Sequence, residues 1–204
     1  MNNKKMINTA KNLDILANIL GKVVGVFGVL AVFIFALFFI FGDIVFDTGA
    51  FTSSLTLNLD FIKFYLSEHF VLGTEHFKIY LLLLIIPGGI TCFAVFYIST
   101  LIRKLLAPMK NGRPFESGAA EHLKKIGWII LVNGVIKEAF AVAAQMLSVK
   151  VYGLEDFFTS PSIERTEFIY TYDINFILVA CAIFLLSYIF KYGQQLQQES
   201  DETL

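Results

Sequence analysis

Lys137 and Glu138 stand side by side near the middle of 126–149, and they are the only charged residues in that run. A charge at such a position costs about 2.5–3.5 kcal/mol on membrane-insertion scales, so residues of this kind pair or line a cavity. At roughly 100° per residue, Asn133, Lys137, Glu138 and Gln145 share one side of a helix with Gly134, Ala141, Ala144 and Ser148. Trp128, Val132, Val135, Val142 and Met146 fall on the other side. The pattern predicts a helix that turns a polar, small-residue face inward and an apolar face outward. Two readings follow from it. One is a binding pocket or a proton- or ion-sensitive switch, and the other is a structural polar knot that fixes helix packing.

Other residue types capable of chemistry are sparse. His69 and His76 recur in the tripeptide Glu-His-Phe, at 68–70 and 75–77, which on one unbroken helix would place two Glu-His pairs on one face. Gly73-Thr74 lies between them and reads as a helix stop followed by an N-cap. Zinc enzymes favour tighter i, i+4 histidine pairs, so no metal site is expected. His122 stands alone on a basic loop, and Cys92 and Cys181 fall inside apolar runs, where they read as small core residues. The chain has no Gly-rich phosphate loop, no Gly-x-Ser-x-Gly elbow and no paired intramembrane Asp motif. Neither an enzyme nor a cofactor is expected.

The elements that must position these residues are spans. Hydrophobic residues make up 56% of the 204, against 16% charged, where a soluble domain carries about a quarter charged. A spanning helix needs about 20 mostly apolar residues. Four stretches supply that, at about 23–42, 79–102, 126–149 and 174–190, and the fold class expected is an all-α, four-helix transmembrane bundle in a single membrane domain. The first run is longer than the roughly 7–15 residues of a signal-peptide core and follows a long arm, so it reads as a retained span. Lys and Arg collect on the cytoplasmic side of a bilayer. The N-terminal arm, the loop 103–125 and the tail 191–204 hold eleven of them, against Lys63, Lys78, Lys150 and Arg165 in the outer segments 43–78 and 150–173. That bias predicts both termini in the cytoplasm, with the protein in the cytoplasmic membrane. A net charge of −1 offers no basic field for direct nucleic-acid binding.

The outer segments have their own signals. Residues 54–59 alternate polar and apolar, and 166–172 are β-branched and aromatic, which predicts a small extracytoplasmic cap in which these two pieces pair. Asp60 to Phe70 reads as a short helix. Gly21-x-x-x-Gly25, with Gly28 beyond it, would let the first span approach a neighbour closely.

On the cytoplasmic side, Asn111-Gly112 and Pro114 shape a turn before Phe115, and a helix is expected from Glu116 into the third span. The tail continues the fourth span as a polar extension carrying Tyr192 and Leu196. Gly112-x-Pro114-Phe115, followed by Leu123-x-x-Ile126-Gly127-Trp128, resembles the hallmark of a bacterial four-span family catalogued as domain of unknown function 2975. The ending Phe190-x-x-Gly193-x-x-Leu196-x-x-Glu199-x-Asp201-Glu202-Thr203-Leu204 is similar to the family's C-terminal signature, and the resemblance covers roughly residues 12–204. It implies four helices, cytoplasmic termini, no known catalysis, and frequent association in the genome with a small helix-turn-helix transcription regulator. The expected function is therefore a non-enzymatic membrane regulator or sensor. Its cytoplasmic surface, formed by Gly112, Pro114, Phe115, Tyr192 and Leu196, would meet a cytosolic partner. The alternative is a small carrier, or a lipid- or peptide-binding protein, using the pocket beside Asn133 and Lys137.

Overall fold

The structure, a computed structural model, describes residues 3–47, 56–59, 62–65, 74–111, 118–151 and 172–202. Among them are four long helices and one hairpin: α1 (Asn3–Asp47), β1 (Thr56–Leu59), β2 (Ile62–Tyr65), α2 (Thr74–Lys110), α3 (Ala119–Val151) and α4 (Asn175–Glu202). All four helices are long and apolar enough to cross a membrane. In hydrocarbon every backbone N–H and C=O must be satisfied within the segment, which is why these runs form helices despite their Phe and Val content. Each helix extends past its apolar run, and α1 does so most: the arm expected only as a charged lead-in is helical from Asn3.

The chain divides into two compact units. One holds Met1–Val29, Pro87–Ala139 and Thr171–Leu204, and the other holds Leu30–Ile86 and Phe140–Tyr170. Within the first, α1 meets α2 through a narrow stripe of small residues at three- and four-residue spacing. Ala10 and Gly21 are buried, while Ala17, Gly25 and Gly28 are half-buried. A Cβ built on Gly21 would lie 3.2 Å from Ser99 Cβ, and one on Gly28 would lie 3.3 Å from Cys92 Cβ. The two helices are antiparallel, so the glycine spacing of α1 maps onto successive turns of α2. The Gly21-Gly25 motif thus serves the close approach expected of it. Ser99, buried at this contact, donates its hydroxyl back to the Val95 carbonyl at 2.8 Å, so its proton is satisfied within α2.

The α3–α4 contact is closer still. A Cβ on Gly127 would come within 2.7 Å of the Phe184 ring, and one on Gly134 within 2.2 Å of the Phe176 ring. Trp128 stands edge-on to Phe184, with ring centroids 5.5 Å apart. At one end, Ser187 Oγ donates to the Ala120 carbonyl at 2.7 Å. The helix α3 opens on Gly118, whose φ of +99° suits a residue without a Cβ and whose carbonyl accepts the first helical bond, from the His122 N–H at 3.0 Å. Glu116, where that helix was expected to begin, lies outside the described residues.

The second unit corrects one expectation. Residues 56–59 are extended, as the alternation over 54–59 suggested, and they pair in antiparallel fashion with Ile62–Tyr65, with Thr56 opposite Tyr65 and Leu59 opposite Ile62. The short helix expected over 60–70 is therefore replaced by strand at 62–65. Ile-Lys-Phe-Tyr suits a strand by composition, and pairing across two residues costs little loop-closure entropy. Residues 166–171, the partner expected for 54–59, lie outside the described residues.

Glycines that touch nothing provide the control for those that do. Gly134→Ala should lower the thermal midpoint of the detergent-solubilised protein by the equivalent of about 1–3 kcal/mol, because Phe176 must move. Gly89→Ala, with nothing within 4 Å of the new Cβ, should leave it unchanged or raise it slightly. Equal midpoints for the two variants would mean that α3 and α4 are not in contact at Gly134.

Candidate functional site

The α3–α4 register places the start of α4 beside the polar part of α3. The backbone N–H of Asp173 donates to Glu138 Oε2 at 3.2 Å, and Asp173 Oδ1 accepts from the Asn175 N–H at 3.0 Å. The second bond is an Asx turn that satisfies one of the unpaired donors at the start of α4. One helix turn away, Thr91 Oγ1 donates to Asn133 Oδ1 at 3.3 Å and ties α2 to α3. Between these groups lies a cavity of about 260 Å³. Its polar lining comes from Thr91, Asn133, Lys137, Glu138 and Asp173, and its apolar lining includes Ile129 and Phe176.

Asn133, Lys137 and Glu138 are thus brought together, as the helical spacing implied. Asn133 and Glu138 are half-buried, whereas Lys137 is exposed. The expectation that neighbouring helices shield both charges therefore fails for Lys137. Glu138 also takes its partner from the chain at the start of α4 and not from the adjacent lysine, because successive residues on a helix diverge by about 100° and do not face each other. Gln145 is half-buried and belongs to the second unit. The apolar side of α3 is exposed at Trp128, Val132, Val135 and Met146, as expected of a lipid-facing stripe.

Asp14 is a second polar focus, and sequence reasoning passed it over. It lies on the small-residue stripe of α1, and it receives Lys110 Nζ at 2.5 Å on Oδ2 and Arg103 Nε at 3.4 Å on Oδ1. Those partners are 96 and 89 residues away, so only the stripe spacing from Ala10 through Asp14 to Gly21 could have pointed to it. Of the residues expected on the partner surface, Tyr192 and Leu196 lie exposed on α4. Gly112, Pro114 and Phe115 lie outside the described residues. His76 lies on α2 and His69 outside the described residues. Among the described residues no group of three or more His, Cys, Asp or Glu could hold a metal ion.

Four apolar helices, with polar groups gathered along their contacts, define a multi-pass helical membrane protein. Residues 71–204 match the family described as protein of unknown function (DUF2975), and the chain belongs to that family. The match takes in α2, α3 and α4 and begins after α1, so it is shorter at its start than the resemblance over 12–204. Comparison with curated proteins and with solved structures gives no match.

The geometry separates the two charges of the site by consequence. Glu138→Ala should cost about 0.5–1.5 kcal/mol in thermal unfolding, since the Asp173 N–H loses its acceptor. Lys137→Leu should stay within about 0.5 kcal/mol of the parent. A loss from Lys137→Leu equal to that from Glu138→Ala would make the lysine the true partner of Glu138.

Proposed function

We propose that this chain is a non-enzymatic regulatory membrane protein with both ends in the cytoplasm, and that its tail recruits a cytosolic protein. The observation that carries the reading is α4. It continues as a helix beyond its apolar run to Glu202, with Tyr192 and Leu196 exposed four residues apart on the same side. A helical extension that shows two large apolar side chains outside the span has no use for them in solvent, and such pairs anchor helix-mediated recognition. The family resemblance supplies the kind of partner, a small helix-turn-helix transcription regulator. Orientation rests on the eleven-to-four excess of Lys and Arg on the arm, middle loop and tail.

Two measurements test this. In a background lacking Cys92 and Cys181, single cysteines at positions 3, 111 and 200 should resist an impermeant thiol reagent in intact cells, and one at 159 should react. Labelling at 111 from outside inverts the topology. Truncation after Tyr192 should leave insertion intact, release a cytosolic partner recovered with the full chain, and change transcription of a few genes. Recovery of the same proteins by the truncated chain removes the tail from the interface.

A second reading is favoured by the cavity beside Asn133, Lys137 and Glu138, whose polar wall suits a small polar solute or a peptide end. In that case deletion of the protein changes uptake or resistance and leaves transcription untouched.

A further inference from the structure

Beside the α2–α3 contact lies a groove of about 380 Å³. It is separate in character from the polar cavity, being lined almost wholly by apolar side chains. Ile90, Phe93 and Tyr97 form one wall, and Trp128, Val132 and Ile136 form the other. Phe93, Tyr97, Trp128 and Val132 are all exposed. An apolar membrane surface is ordinarily covered by whichever lipids pass, so the groove alone selects nothing. Its end near Tyr97 and Trp128 is different. Tyr and Trp favour the depth of the lipid headgroups, where the ring is apolar and one edge is wet. Just beyond them the groove's two helices carry cations. Lys125 precedes Trp128 by three residues, about one turn, and Lys104 follows Tyr97 by seven, about two turns, so each lies on the groove side of its helix.

His122 lies on α3 about one turn before Lys125. Its Nδ1 is fully enclosed and has no hydrogen-bond partner among the described residues, a state that leaves a polar atom's desolvation unrepaid. Lys104 and Lys125 are both exposed, and neither forms an ion pair among the described residues, in contrast to Arg103 and Lys110, which Asp14 engages.

We propose that this groove is a binding site for an anionic phospholipid, with an acyl chain between α2 and α3 and the phosphate against Lys104 and Lys125. The apolar walls fix the chain, the aromatic pair fixes its depth, and the two lysines supply the charge selection. This assignment is independent of the tail's partner.

Trp128 is the chain's single tryptophan and lines the groove, so it reports occupancy directly. Purified protein in phosphatidylcholine nanodiscs is titrated with phosphatidylglycerol bearing brominated acyl chains, and in parallel with brominated phosphatidylcholine. Half-maximal quenching of Trp128 should need roughly five- to tenfold less of the anionic lipid, given the attraction of each lysine for an anionic surface. The preference should vanish in Lys104→Gln/Lys125→Gln, with unchanged circular dichroism, and persist in Lys124→Gln, which removes a charge at the same depth. Equal quenching by the two lipids, or a preference that survives the double substitution, overturns the proposal. So does loss of the preference in Lys124→Gln, which would reduce it to a diffuse field. Full displacement of brominated phosphatidylglycerol by inorganic phosphate, at ionic strength matched with chloride, would assign a free-anion site in its place.

Discussion

Helices in a bilayer gain little from hiding apolar surface on one another, because the lipid is as apolar as their side chains. What holds them is close contact between backbones and the hydrogen bonds that such contact permits. In this chain both are set by glycine. Gly134 and Gly127 bring α3 against Phe176 and Phe184 of α4, and Gly21 and Gly28 bring α1 against Ser99 and Cys92 of α2. The polar contacts depend on those registers. The Gly134 contact puts the Asp173 N–H opposite Glu138, and the Gly21 contact puts Asp14 within reach of Arg103 and Lys110. A shift of one turn along either seam would part these groups.

The charged residues then divide by what the packing leaves them. Glu138 and Asp14 have partners outside their own helical neighbourhood, whereas Lys137, Lys104 and Lys125 face outward without an ion pair among the described residues. Carboxylates are drawn into helix contacts because backbone N–H groups and flexible cations can come to them. A lysine on a long stem reaches an interface more readily than a buried partner. Such an arrangement places structural anions at the helix contacts and available cations on the exposed surface.

Much of this was legible in the sequence, and the illegible part has a common cause. The four apolar runs and the shared face of Asn133, Lys137 and Glu138 follow from composition and helical period alone. The Gly21-Gly25 spacing announced a close contact, but a spacing cannot name the helix that fills it. Glu138 adjoins Lys137 in sequence, whereas its hydrogen bond comes from Asp173, 35 residues on. The hairpin shows a different miss: 60–70 was read as a short helix, whereas Ile62–Tyr65 is a strand that closes on 56–59 at little cost in loop entropy. The helical arm of α1 was read for its charges, and its stripe of Ala10, Asp14, Ala17 and Gly21 was left unused.

That stripe bears on the order in which the protein is made. Arg103 and Lys110 follow Asp14 by 89 and 96 residues. At about 5–20 residues per second, a ribosome adds that length in roughly 5 to 20 seconds. Throughout that interval α1 must hold its place with an acid that has only Lys11, three residues back, as a nearby counter-charge. Whatever orients α1 in that interval acts before its ion pairs exist. The anchor at Asp14 is a late closure that locks a direction already chosen.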